Sequence, residues 1–141
     1  RGDAALHSPP LRAVLLPEEF AALQRAAAEV HVDEAVKMYI VSLTRATRAR
    51  PELALGASPR ASLALFRASR ALALLRGRSY VLPDDCRELA APVLAHRLVL
   101  RQEAGFAGHT QESVLAAVVG SVPVPSMPAS GSLAKRIGGA V

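Results

Sequence analysis

Tryptophan is absent from the chain, and tyrosine and phenylalanine number only two and three. A folded core must therefore be filled by small and branched aliphatic side chains, which favours helices packed closely on helices. Cysteine is nearly absent too. Cys86 stands alone, which excludes an internal disulfide and a thiolate cluster for zinc and suits a reducing cytoplasm. Histidine is sparse: His7, His31, His96 and His109 lie far apart, and no two share the i, i+4 spacing of a helical zinc site, so each reads as surface or structural and no metal is expected. No uninterrupted apolar run approaches the roughly 20 residues that a membrane-spanning helix needs. The opening RGDAALHSPP lacks the apolar stretch of a secretory signal. Also missing is a Gly-rich loop ending in Lys and Ser or Thr, so this chain has no means of its own to cradle nucleotide phosphates in the P-loop manner. It is not expected to act alone as an enzyme.

What the sequence does contain is Ala, Leu, Val and Arg in abundance, 51% hydrophobic residues and a net charge of +5 over 141 residues. That length fits one ordinary domain with a single core. The chain begins with Arg1 rather than Met, as expected of a piece of a longer protein. Lys37 and Lys135 are the only lysines; guanidinium groups carry nearly all of the positive charge, and their planar forks suit phosphate and carboxylate oxygens. The arginines are spread along the chain rather than gathered in one block, which favours a solvated surface over a nucleic-acid interface. The opening RGD is too short a string to carry a cell-adhesion reading.

Three regions follow from the pattern. Residues 1–16, with Pro9 and Pro10, read as a connector. Residues 17–120 read as a helical domain, and residues 121–141 as a flexible Pro/Ser/Gly-rich tail. Within the domain, Pro17 suits the first turn of a helix whose expected buried stripe is Phe20, Leu23 and Ala27. Residues 30–32 alternate as a short strand would. A longer helix follows from about Asp33, with Val36, Tyr39, Ile40 and Leu43 on one face and Lys37, Arg45 and Arg48 toward water, and Pro51 ends it. The next helix is the best marked: Ser58 caps it, Pro59 suits its first turn and Gly77 stops it. Its expected stripe is Leu65, Leu72 and Leu75, widened by Leu63, Phe66 and Leu74. Residues 79–82 are β-prone and are predicted to pair with residues 30–32 as a two-stranded ribbon. Pro83, Asp84 and Asp85 open a further helix, which Pro92 is expected to break in two. Thr110 caps a last helix carrying Val114, Leu115 and Val118. The fold class is thus all-α, a small helical bundle with a possible short β ribbon.

Two segments, VHVDE and YVLPDD, imitate the acidic end of an ATPase strand. Both carboxylate pairs stand where helices begin, and unsatisfied N–H groups and the helix dipole already account for acidic side chains there. The more informative segment is LGASPRASLAL, residues 55–65. Gly56 permits a turn, Ser58 and Pro59 set a helix start, and Arg60 projects from the first turn, where backbone donors and dipole attract an anion. A guanidinium there adds a charged two-pronged donor.

This segment, with RALALLRGRSYVLPDDCRELAAPVLAHRL after it and LLPEEFAALQRAAAEVHVDEAVKMYIVSLTRATR before it, resembles the C-terminal lid subdomain of MoxR AAA+ ATPases. The match in order and spacing runs from about residue 15 to about residue 125. The resemblance implies that Arg60 is the second sensor arginine, presented by the lid to the γ-phosphate of ATP, with Ser58 and Pro59 aiming it at the nucleotide. It implies ATP and Mg2+ as ligands of the full-length parent, none being expected for the isolated chain. Its partners would be the AAA+ core of the same protein, neighbouring subunits of a hexameric ring and a von Willebrand factor A domain protein, in the cytoplasm, with no membrane and no nucleic acid. The implied role is chaperone-like remodelling or maturation of protein complexes. The alternative readings are a small basic helical DNA-binding module and a protein-interaction adaptor using the lid surface or tail.

Overall fold

The computed structural model describes residues 12–126. The expected connector before Arg12, His7 and most of the expected tail lie outside them. Six α-helices and one short sheet make up the described chain: α1 (Pro17–Glu29), α2 (Glu34–Arg48), β1 (Leu53–Leu55), α3 (Pro59–Leu75), α4 (Pro83–Leu94), β2 (Val99–Leu100), α5 (Gln102–Phe106) and α6 (Gln111–Ser121). The all-α bundle is as expected, and its centre is α3 against α4, with α2 and α6 closing the core.

α2 forms where the sequence marks it. Asp33 caps it by accepting the Ala35 N–H at 2.9 Å, and Val36, Tyr39, Ile40 and Leu43 are all buried on one face. α3 also keeps its marked ends: Pro59 opens it, and Gly77, at φ +69°, closes it. The Arg78 N–H donates to Ala73 O at 2.9 Å and the Gly77 N–H to Leu74 O at 2.8 Å, a paired C-terminal cap that a left-handed glycine permits. Thr110 caps α6 by accepting the Ser113 N–H at 3.1 Å, and Val114, Leu115 and Val118 enter the core.

Four expectations are corrected. α1 buries none of its residues; Phe20 is 55% and Leu23 43% exposed, because α1 rests chiefly on α3 and is covered on one side only. In α3 the buried face is Ala61, Leu65, Ser69 and Ala73. Small side chains let α4 approach along that face, and Leu63 and Leu75 stay outside, Leu75 82% exposed. α4 is one helix through Pro92. A proline so near the end removes only one late backbone bond, and the chain then tightens into a 3-10 turn over Ala95–Arg97. Finally, residues 30–32 and 79–82 do meet, but as a single parallel bridge: the His31 N–H donates to Ser79 O at 2.8 Å and the Val81 N–H to His31 O at 3.0 Å. The two-stranded ribbon is formed instead by β1 and β2, antiparallel, with Leu53 opposite Leu100 and Leu55 opposite Val99.

Candidate functional site

β1 delivers the chain into the turn that starts α3, and α2 holds that turn from below. A Cβ on Gly56 would stand 2.8 Å from both Cα and N of Arg48. Gly56 is therefore required by close backbone approach. The next residue, Ala57, is 1% exposed, and both of its backbone polar groups are taken by α2. Its N–H donates to Thr47 Oγ1 at 2.8 Å, and its carbonyl accepts from Arg48 Nε at 2.8 Å. Thr47 Oγ1 in turn donates to Thr44 O at 2.7 Å. One turn into α3, Ser62 Oγ lies 2.9 Å from Thr44 Oγ1. The last two turns of α2 thus grip the start of α3 on both sides of the Ser58–Pro59–Arg60 corner.

At that corner the helix end is left open. Ser58 occupies the cap position with extended backbone, yet its hydroxyl makes no capping hydrogen bond; only its carbonyl is engaged, accepting the Ala61 N–H at 2.9 Å. Pro59 has no N–H to satisfy. The Arg60 N–H finds no acceptor among the described residues. The Arg60 side chain is exposed and joins no ion pair among the described residues. A free backbone donor, a free guanidinium and the positive end of a 17-residue helix converge on one place, an arrangement suited to an anionic oxygen.

Beside the corner lies an open cleft of about 710 Å3, lined by β1, by the turn into α3 and by Arg48, Arg50, Arg97 and Arg101. Ser58 and Pro59 line it; Arg60 does not.

The acidic pairs serve structure. Asp33 is the α2 cap. Asp85 is 1% exposed and is met by two guanidiniums: Arg78 donates through Nη2 to Oδ1 at 2.6 Å and through Nη1 to Oδ2 at 2.8 Å, and Arg76 Nη1 donates to Oδ1 at 3.1 Å. The Leu82 N–H adds a bond to Oδ2 at 2.8 Å. Burial opposes ionisation of Asp85, but these donors and the Arg78 charge outweigh it and hold the carboxyl below its usual range. Arg76 reaches Glu88 as well, at 2.7 Å. Beside this cluster Cys86 is buried, and burial, helped by the Asp85 charge, pushes its thiol up to about 11 against the opposing bond from Ser69, so it is a packing residue rather than a nucleophile. His31, His96 and His109 are exposed. Among the described residues no group of three His, Cys, Asp or Glu could hold a metal ion, and no helix is long and apolar enough to cross a membrane. α3 is packed by α1, α2 and α4, and Arg60, Leu63 and Arg67 remain on its exposed side.

The sequence reading singled out Ser58, Pro59 and Arg60, and the structure keeps them together at one corner. It did not single out Thr44, Thr47 and Arg48. The available signal was two threonines three apart on the apolar face of α2, where a buried hydroxyl needs a partner.

Comparison with known proteins locates the fold. The AAA lid domain family matches residues 45–118. Among curated relatives, the uncharacterised protein YeaC of Bacillus subtilis is 43% identical over 115 residues, covering 82% of this chain and 36% of its own. The chaperone MoxR1 of Mycobacterium tuberculosis is 39% identical over 131 residues, covering 86% and 34%. Protein MoxR of Paracoccus denitrificans is 36% identical over 115 residues, covering 68% and 32%. A crystal structure from Cytophaga hutchinsonii, described as that of a candidate ATPase, superposes with a TM-score of 0.68 at 30% identity, over 72% of this chain and 34% of that one. The chain spans about a third of the length of each of these relatives.

Proposed function

Because the chain belongs to the AAA lid domain family, of the type carried by MoxR AAA+ ATPases, we propose that it is the moving lid over a nucleotide site, and that Arg60 is the group by which it senses the nucleotide. ATP and Mg2+ are then held by an AAA+ core in the same protein. Mg2+ would neutralise part of the phosphate charge there. This chain supplies the Arg60 guanidinium, the open N-terminus of α3 and the grip of α2 that fixes where both point.

The lid works by differential contact. A guanidinium that reaches the terminal phosphoryl group only when the lid is closed makes ATP favour closure, and loss of that phosphoryl removes the preference. Nucleotide state becomes domain motion. During transfer the same contact stabilises charge on the phosphoryl oxygens. The observation that carries the reading is the unpaired Arg60 on an uncapped helix start held by Thr44, Thr47 and Arg48. Arg76 and Arg78 are tied to carboxylates and Arg48 to the Ala57 carbonyl, whereas the Arg60 guanidinium has no such partner among the described residues.

In the whole protein the lid would pack against its own core and against neighbouring subunits of a hexameric ring. The work done is remodelling or maturation of other protein complexes in the cytoplasm, with a von Willebrand factor A domain protein as a partner. The connector of residues 1–16 would join core to lid, and residues 121–141 would trail as a tail. The test is Arg60→Ala in the full-length protein. Removing one charge-stabilising donor lowers ATP turnover by about a hundredfold, while the melting temperature moves little because the side chain is exposed and unpaired. Turnover equal to wild type refutes the assignment.

A further inference from the structure

The cleft beside the Arg60 corner carries a second concentration of positive charge. Arg48, Arg97 and Arg101 line it, and the three are held in the same way. Arg48 Nε donates to Ala57 O at 2.8 Å, Arg97 Nε to Val93 O at 3.1 Å and Arg101 Nε to Pro51 O at 3.0 Å. Each guanidinium is anchored by its inner nitrogen to a backbone carbonyl, and among the described residues neither terminal nitrogen has a carboxylate partner. The contrast with Arg50 is direct. It lines the same cleft but is neutralised by Glu52 at 2.6 Å. No residue lining the cleft is acidic.

Anchoring of this kind removes much of the entropy that a free arginine loses on binding and leaves the bidentate edge of each fork available. From this geometry we infer that the cleft is a binding site for a compact polyphosphate, separate from the Arg60 corner. A single carboxylate brings one charge to three guanidiniums; a chain of phosphates brings several, with oxygens on every side. The cleft is shallow and open to solvent, so the charge of the three guanidiniums, rather than enclosure, would select its ligand. The cleft shares Arg48, Ser58 and Pro59 with the Arg60 corner, but Arg60 does not line it, so variants of Arg97 and Arg101 test the cleft and Arg60→Ala tests the corner.

The probe is inorganic triphosphate titrated calorimetrically into this chain at low salt, with ATP in a parallel arm. Saturable binding of one equivalent is expected, weakening as salt rises. Arg97→Gln/Arg101→Gln should weaken it by about a hundredfold, since each charge-assisted contact is worth roughly a factor of ten. Arg45→Gln/Arg67→Gln, which removes two charges outside the cleft, should change it less than about twofold. Arg97→Gln alone keeps the test valid if loss of the Arg101 bond to Pro51 disturbs the ribbon, and should cost roughly tenfold. Equal affinity for triphosphate and ATP means that the phosphate chain is what is read; tighter ATP binding means a nucleotide. Either supports the site. No binding by the wild type, equal loss in the two double variants, or loss on Arg60→Gln alone overturns it, as does displacement of triphosphate by an acidic peptide of equal charge at lower concentration.

Discussion

At Gly56 the spacing between α2 and the start of α3 comes down to one absent methyl group. A Cβ 2.8 Å from the Arg48 backbone cannot be relieved by rotating a side chain, so Gly56→Ala must push the turn away from α2 and stretch the bonds at Ala57. The expected cost is about 1 to 3 kcal/mol of stability, read as a shift in the urea midpoint, and unchanged stability would show that the turn has slack. Asp85 is the opposite case, a residue whose charge cannot be spared. Asp85→Asn removes the counter-charge that Arg76 and Arg78 share and should lower the urea midpoint at neutral pH, by less than the loss of a fully buried pair because Arg76 is half-exposed and keeps Glu88. Because the folded carboxyl titrates below its usual range, its contribution is fully present above its unfolded value, about pH 4, and is lost as pH falls through the lower folded value. Wild type and Asp85→Asn should therefore converge in stability on acidification below about pH 4. A constant difference across that window rules out the ion cluster as the cause.

Elements differ in how openly the sequence announces them, and the reason is physical. α2 was legible because a large aliphatic or aromatic residue recurs every three or four positions and all of Val36, Tyr39, Ile40 and Leu43 are buried. The ends of α3 were legible because proline and glycine each act through their own backbone, without help from the rest of the fold. Its buried face was not. Leucine is read as interior, yet close approach to α4 selects Ala61, Ser69 and Ala73 and leaves Leu63 and Leu75 outside, an outcome that depends on the distance between two helices and not on either alone. β1 and β2 have three and two residues, too few for any alternation to register, and the pairing of Leu53 with Leu100 is set by where α4 ends. The turn into α3 was marked by Gly56 and Pro59 and by family resemblance, but the side-chain cap expected of Ser58 is not made. The clamp that aims it was not, because Thr44, Thr47 and Arg48 act across a contact between two elements.

Across the described residues burial is uneven, dense among α2, α3, α4 and α6 and slight on α1. α2, α3, α4 and α6 share the core residues Val36, Leu43, Leu65, Leu94, Leu115 and Val118, each 1% exposed or less, so none of these helices can open without exposing the others. α1 buries nothing fully and lies chiefly on α3; its own ends are held by local bonds such as that from the Leu16 N–H to Glu19 at 2.7 Å. Local opening free energy follows buried apolar contact, so α1 can leave while the rest stays folded. In native-state hydrogen exchange the α1 amides should exchange by local opening, nearly independent of low denaturant. Amides of α2 and of α3 from Leu65 to Ala73 should exchange only with global unfolding and follow the full denaturant slope. A thinly covered α1 beside a rigid block that holds Arg60 is the division that the proposed lid would need, with motion near α1 and none at Arg60. If α1 proves as protected as α3, the hinge must lie elsewhere.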